Sequence, residues 1–158
     1  MLRLRKWTPT GGERGAVAVE FVIIFPILFL FICGIIEFGR IMAFKNLATS
    51  AAREGARTAI LPGAAIGDVI TKVKGVLFSL GLSEDGVDEK IADGTIGIFV
   101  GDWQYGPGDA TDPLEDYDGG DPITIQVLLD YGGFALVPGF VDWIVLDGTV
   151  TMRKETFS

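Results

Sequence analysis

The chain has 158 residues, of which 49% are hydrophobic, and it carries a formal net charge of -8 with no His and a single Cys. This length is enough for one ordinary domain and an appendage, and the apolar content excludes disorder throughout. The lack of His and the single Cys exclude His-dependent catalysis, a disulfide framework and Cys/His zinc sites. The acidic balance argues against nucleic acid as a partner, and no cofactor is indicated.

The hydrophobic residues are concentrated near the N-terminus. The segment 21–36 contains no charge, and the longer stretch 16–36 is interrupted only by Glu20. As a helix, that stretch would be about 30 Å long, which matches the hydrocarbon core of a bilayer. The positive-inside rule predicts a cytoplasmic N-terminus and an extracytoplasmic C-terminal part, because four basic residues precede the stretch: Arg3, Arg5, Lys6 and Arg14. The sequence therefore predicts a single membrane span.

A lone carboxylate, Glu20, lies near the start of this span, where a charge is costly and needs a partner. Cleavage after Gly15 would supply one, because the new α-amino group of Ala16 would lie one helical turn from Glu20. The amine and the carboxylate could then pair within a subunit or between neighbours. In the alternative interpretation, Glu20 sits at the headgroup level or favours the helix N-terminus, without cleavage. The spacing alone leaves both open.

The residues around Gly15 resemble a known family. A basic leader that ends in Gly15, then four residues, then Glu20-Phe21 and an apolar run, is similar to the type IV prepilin signature. The stretch 14–40, RGAVAVEFVIIFPILFLFICGIIEFGR, resembles TadE-type proteins of the tight-adherence (Flp) pilus system along its whole length. Two later segments, AAREGAR at 51–57 and TVTMRKE at 149–155, are also similar to such proteins.

The resemblance implies a minor pilin, or pseudopilin, that acts by helix–helix assembly and is not an enzyme. It implies that Gly15 is the last leader residue, cut from Ala16 by a prepilin peptidase in the bacterial inner membrane. Glu20 and Phe21 would then take part in subunit registration. The implied partners are this peptidase, other pilins and pseudopilins, inner-membrane assembly proteins and membrane lipid. Phe21 departs from the short principal pilins, which tend to have Tyr there, and favours the minor class.

A helical pattern continues beyond the span. Apolar and small residues recur at three- and four-residue steps until Pro62, which predicts one helix over 16–61. Its outer face would pack against its own domain or against neighbouring subunits, and the pattern leaves both open. A second amphipathic stripe predicts a helix over 65–80, closed by a polar turn at 83–86. In the first of these two helices, the recurring apolar and small residues beyond the span are Ile41, Phe44, Ala48, Ala51, Gly55 and Ala59.

The C-terminal part of the chain is rich in short runs that are typical of strands. Asp147-Gly148 lies between two of them and predicts a tight hairpin turn. A small antiparallel sheet with one further helix would give an α+β head after the long N-terminal helix. The predicted organisation is a basic cytoplasmic leader 1–15, a helix 16–61 and an extracytoplasmic head 62–158. The four strand-like runs are TIGIFV at 95–100, ITIQVLL at 123–129, WIVL at 143–146 and TVTMR at 149–153.

The segment 101–121 is the most acidic part of the head and contains no basic residue. Gly-rich acidic loops outside the cytoplasm can supply oxygen ligands to calcium, but the spacing of an EF-hand is missing. A solvated loop between strands is therefore the favoured interpretation. The alternative function is an uncleaved single-pass inner-membrane protein whose outer domain binds calcium or another ligand. The candidate metal ligands are Asp112, Asp116, Asp118 and Asp121.

Overall fold

The computed structural model describes residues 11–135, 141 and 143–155, with side chains from residue 15 onward. The chain divides into two compact units, an N-terminal unit that ends at Phe38 and a C-terminal unit, residues 39–158. Residues 1–10 of the predicted leader lie outside the described part. The elements are α1 (Gly11–Ala59), α2 (Ile66–Leu77), α3 (Glu84–Ala92), β1 (Ile96–Val100), β2 (Trp103–Gln104), β3 (Pro122–Asp130) and β4 (Val145–Arg153), with short 3-10 turns at Phe78–Leu80, Pro113–Asp116 and Tyr131–Phe134.

The predicted long N-terminal helix is confirmed, and it continues through Pro26. It ends just before Pro62, and Gly63 takes a positive φ of 74° that side chains disfavour. The predicted second helix is also confirmed as α2 and its 3-10 extension. Together with the sheet that follows, these elements establish the α+β fold class.

The four strands of the C-terminal unit form one antiparallel sheet in the order β2-β1-β3-β4. In β3, buried and half-buried residues alternate, because successive side chains point to opposite faces of the sheet. One face therefore supplies the core, and the other carries polar cross-strand pairs such as Thr124 with Thr151, whose hydroxyl oxygens lie 2.8 Å apart. The core residues of β3 are Ile123, Ile125, Val127 and Leu129.

The second half of α1 packs onto this core through small residues. Gly55 lies so close to α2 that an added Cβ would come within 2.7 Å of Val73 Cγ2. Of the two packings that the sequence left open, packing of α1 against its own domain is therefore observed. Five alanines on that face are completely or almost completely buried, namely Ala48, Ala51, Ala52, Ala56 and Ala59.

The predicted hairpin turn at Asp147-Gly148 is wrong. β4 runs straight through both residues and pairs with β3 along its whole length. Gly148 faces α1, where an added Cβ would overlap the backbone of Ala48, so glycine serves close approach of helix and strand and not a turn. Asp147 Oδ1 accepts hydrogen bonds from Gln126 Nε2 at 3.2 Å and from Thr149 Oγ1 at 2.7 Å, which holds it in the strand.

The predicted polar turn at 83–86 is also wrong, because these residues begin a further helix, α3, which the sequence did not predict. The Ser83 hydroxyl caps it by accepting a hydrogen bond from Gly86 N at 3.2 Å. Acidic residues in the first turn suit the positive end of the helix dipole. Val87 and Ile91 are buried, and they tie α3 to the core.

Candidate functional site

The N-terminal part of α1 has the properties of a membrane span. Among the described residues, it forms the one helix long and apolar enough to cross a bilayer, and none of its most apolar window is buried within the chain. Large hydrophobic side chains are exposed all along it, from Val17 to Phe38. A surface of this kind is costly in water and favourable in lipid.

The predicted processing and registration residues lie at the start of this exposed segment. Gly15, Ala16 and Glu20 all belong to α1 and are exposed, and an added Cβ at Gly15 would meet nothing within 4 Å. Ala16 and Glu20 are four residues apart, which places them on one side of the helix and about 6 Å apart along its axis. Among the side chains that the structure describes, none forms an ion pair with the Glu20 carboxylate.

Phe21 begins an aromatic stripe that the sequence analysis did not identify. The rings of Phe21 and Phe25 have centroids 5.5 Å apart, and those of Phe25 and Phe29 are 6.2 Å apart. The four-residue spacing of the three phenylalanines was the sequence signal for this stripe. All three rings are at least half exposed, so the stripe is a surface available to lipid or to another helix.

Arg40, at the start of the C-terminal unit, anchors a second group of aromatic residues. Its Nη2 donates to the Phe134 carbonyl oxygen at 2.8 Å, and its Nε lies 3.4 Å from the Tyr131 hydroxyl. The guanidinium also lies over the Phe44 ring, 5.8 Å from the centroid, and Phe44 meets the Tyr131 ring edge to face at 5.4 Å. A single arginine thus fixes the 3-10 turn Tyr131–Phe134 to α1. Nothing in the local sequence pointed to this partner.

The candidate metal ligands do not converge in the structure. Asp112 Oδ1 accepts from Leu114 N at 3.0 Å, and its Oδ2 accepts from Ile66 N at 3.1 Å. Asp118 and Asp121 are joined through a backbone donor, Asp118 N, which lies 2.9 Å from Asp121 Oδ2. Asp116 is exposed, and the described residues contain no group of three acidic, His or Cys side chains able to hold a metal. The calcium interpretation gains no support from this arrangement.

The acidic segment is anchored to the core although most of its carboxylates are solvated. Leu114 is buried, and the Lys154 ammonium donates to the carbonyl oxygens of Leu114 at 3.1 Å and Tyr117 at 2.5 Å. Earlier in the segment, hydrogen bonds from the backbone and side chain of Thr111 lower the pKa of the exposed Asp109 carboxyl. The segment is therefore a structured connection whose acids are held by local hydrogen bonds.

An ion pair joins α2 to α3 beside this segment. Lys74 Nζ lies 2.5 Å from Asp88 Oδ1 and 3.2 Å from the Tyr105 hydroxyl. Burial alone lowers the pKa of Lys74, but the hydrogen bonds with Asp88 and Tyr105 outweigh it and leave the pKa above its ordinary value. The charged lysine is therefore a structural link between two helices and the residues after β2.

The family comparison concerns the same helix as the processing residues. A family model described as TadE-like protein matches residues 15–57. No curated protein and no solved structure matches the chain. The match begins at Gly15 and covers the exposed segment of α1 and most of its buried small-residue face. It suggests a protein associated with the Tad pilus, and it confirms the resemblance to TadE-type proteins over residues 15–57.

Proposed function

We propose that the chain is a minor pilin, or pseudopilin, of a tight-adherence (Flp-type) pilus system and that it acts by helix–helix assembly and not as an enzyme. The observation that carries this proposal is the TadE-like match over a helix whose most apolar window contains no buried residue. In such a protein the exposed part serves first as a membrane anchor and then as an assembly surface.

The chain enters the bacterial inner membrane with its N-terminus in the cytoplasm. The basic residues ahead of the span support this orientation, since positive charge is retained on the cytoplasmic side. The C-terminal unit then lies outside the cytoplasm, on the periplasmic side. There it meets other pilins, pseudopilins and inner-membrane assembly proteins.

A prepilin peptidase removes residues 1–15 by cleaving between Gly15 and Ala16. The open space around Gly15 supports access to this peptide bond. The new α-amino group of Ala16 is then one helical turn from Glu20. In lipid, each of these charges needs a partner, so pairing of the amine with a Glu20 carboxylate favours subunits that are correctly aligned.

Assembly uses the part of α1 that the C-terminal unit leaves uncovered. The alanine face from Ala48 to Ala59 is already buried within its own domain, so it offers no surface to another subunit. The stripe formed by Phe21, Phe25 and Phe29 is exposed and lies directly after Glu20. A helix from a neighbouring pilin can pack there while Glu20 sets the register.

Intact mass and N-terminal sequencing of the protein from bacterial envelopes test the processing step. The expected chain begins at Ala16 and becomes the uncut precursor when the prepilin peptidase gene is deleted. Gly15→Leu should give the same uncut precursor. Gly34→Leu is the matched control, because an added Cβ also meets nothing within 4 Å there, and it should be cut normally.

A chain that still begins at residues 1–2 in wild-type cells would contradict processing. It would reduce the N-terminal helix to a permanent anchor. Equal processing of the Gly15→Leu and Gly34→Leu variants would contradict cleavage at Gly15 in particular.

A further inference from the structure

Within the C-terminal unit, α1 and β4 run side by side in the same direction. The Lys45 ammonium donates to the Asp147 carbonyl oxygen, Gly148 lies against Ala48, and Glu155 N donates to the Ile60 carbonyl oxygen at 3.1 Å. From Lys45 to Ile60 a helix advances about 22 Å, and from Asp147 to Glu155 an extended chain advances about 26 Å. The two elements therefore advance by similar distances between these contacts. Each position on β4 can be matched to a position along the axis of α1, which is called its level.

The start of β4 lies level with the beginning of the C-terminal unit. Val145 precedes Asp147 by about 7 Å of strand, which corresponds to between four and five helical residues before Lys45. This is the level of Arg40. The hydrogen-bond contacts agree, because Arg40 binds the Phe134 carbonyl and the other end of that 3-10 turn, Tyr131 N, donates to Ile144 O at 2.9 Å.

Trp143 lies at this end of the unit and is strongly exposed. Its exposed fraction is 81%, the largest of any exposed large hydrophobic side chain described, and that of nearby Val145 is 60%. Trp103 on β2, in contrast, is half-buried, and its ring centroid lies 6.1 Å from that of Tyr105. Through the pairings with Val100, Ile125 and Val150, Trp103 lies about five strand residues, or 16 Å, farther along the sheet than Val145.

Trp143 lies at the end of the C-terminal unit at which α1 enters it, because Arg40 is the second residue of that unit. Arg40 follows Ile36 by four residues, about 6 Å of helix, and the headgroup region of a bilayer is of similar thickness on each side. Tryptophan has an apolar ring and a polar N–H, so it favours this layer of a membrane.

We infer that Trp143 is an interfacial anchor that seats the C-terminal unit on the outer leaflet surface of the membrane its own helix crosses. This inference rests on the membrane span of the proposed function. The surface is the lipid headgroup layer, which the exposed side chain of Trp143 enters. Trp103 lies at the far end of the sheet, in a part of the unit that is away from the lipid.

Two single-tryptophan forms of the full chain test this inference. One keeps Trp143, with Trp7 and Trp103 changed to Phe, and the other keeps Trp103, with Trp7 and Trp143 changed to Phe. Each is reconstituted into vesicles of phosphatidylethanolamine and phosphatidylglycerol, with or without bromine on the upper part of the acyl chains. The Trp143 form should lose most of its fluorescence in brominated vesicles, whereas the Trp103 form should keep its intensity. The emission of Trp143 in vesicles without bromine should lie at a shorter wavelength than that of free tryptophan in water.

Flotation of the vesicles separates the two levels of the proposal. If the protein floats with the vesicles but Trp143 is not quenched, the interfacial anchor is overturned while the membrane span stands. Trp143 shielded from both bromolipid and aqueous iodide would also overturn it, in favour of a protein contact. If the protein does not float at all, both the span and the anchor fail. Phe retains the ring packing at position 103, and circular dichroism checks that both forms are folded.

Discussion

Gly148 of β4 lies directly against the backbone of Ala48 in α1, with no room for a side chain between them. A Cβ added at Gly148 would lie 2.3 Å from the carbonyl carbon of Ala48, so the helix and the strand are in direct backbone contact. The contact fixes the level of α1 along the sheet, because neither backbone can move without disturbing the buried alanine face or the β3–β4 pairing.

Gly148→Ala should destabilise the C-terminal unit by about 3 kcal/mol, the upper range for overpacking, because the obstacle is backbone and not a flexible side chain. Urea unfolding of the full chain in detergent, followed by circular dichroism, measures this. Thr149→Ser, at the next and exposed position of β4, keeps the hydroxyl that donates to Asp147; it is the control and should change the free energy of unfolding by less than about 0.5 kcal/mol. A Gly148→Ala variant as stable as wild type would show that α1 can retreat from β4.

The glycines of two helices should respond to alanine in opposite directions. Gly55→Ala places a methyl group 2.7 Å from Val73 Cγ2, so we expect a loss of about 1–3 kcal/mol. Gly75→Ala in α2 meets nothing within 4 Å and should add about 0.5–1 kcal/mol through helix propensity. Thermal unfolding of both variants in the same detergent gives the comparison. Stabilisation by both would mean that α2 is not held against Gly55.

Lys74→Met should weaken the link between α2 and α3 by about 2 kcal/mol at neutral pH, because a charged hydrogen-bonding partner of Asp88 and Tyr105 is lost. The pKa of Lys74 is raised above 10.5, so its stabilising effect is complete below that pH and is lost as pH rises through the folded-state pKa. The difference between wild type and variant should therefore shrink in strongly alkaline buffer. Urea unfolding at neutral pH and above pH 10.5 measures it.

Lys72→Met is the matched control for this measurement, since Lys72 is an exposed lysine of the same helix. Its effect should be small at both pH values. A difference between wild type and Lys74→Met that stays constant with pH would contradict a role for the lysine charge.

Asp112→Ala should cost about 1–2 kcal/mol, because the carboxylate accepts hydrogen bonds from two backbone donors, Leu114 N and Ile66 N. Ile66 begins α2, whose own N-cap residue, Ala65, offers no side-chain acceptor. Asp116→Ala removes an exposed carboxylate of the same segment and should be nearly neutral. Thermal unfolding of both variants tests the contrast.

Calcium distinguishes this capping role from a metal site. If the acidic segment only caps backbone groups, millimolar calcium should leave the melting temperature of the wild type unchanged. A rise in melting temperature that Asp112→Ala abolishes would contradict the capping interpretation and restore the calcium hypothesis.

Glu20→Gln should leave cleavage after Gly15 intact but reduce incorporation of the subunit into assembled pili. The amide has no charge to neutralise the Ala16 amine, so the aligned state loses its ionic preference. Glu20→Asp keeps the charge and should retain part of the incorporation. Intact mass reports cleavage, and immunoblots of sheared pili report incorporation; normal incorporation of the Gln variant would count against registration by Glu20.

Periodicity predicted the helices and strands that bury a continuous stripe. The small-residue stripe of α1, the apolar stripe of α2 and the alternation in β3 are local patterns, and the structure confirms each. The errors came from polar residues and glycine, whose roles depend on distant partners. Asp147-Gly148 has the composition of a turn, but its conformation is decided by Ala48, Gln126 and β3.

The site residues show the same division. Gly15 and Glu20 could be proposed as site residues because the signature that contains them is a spacing along one helix, and their roles stay predictions. The partners of Arg40 and Asp112 could not be identified, since Phe134 and Ile66 are remote in the chain. Exposure of Trp143 likewise depends on where β4 begins relative to α1, which no local pattern encodes.

The packing of β4 on α1 also sets an order for biosynthesis. The alanine face of α1 is made before Gly148 and Glu155, which lie against that helix. Contacts between such distant parts of a chain form late, because the loop between them must close first. In a chain inserted as proposed, the anchor is already in the bilayer before β4 can pack against the alanine face. Completion of translocation, and not insertion of the anchor, is thus the step that yields a folded subunit.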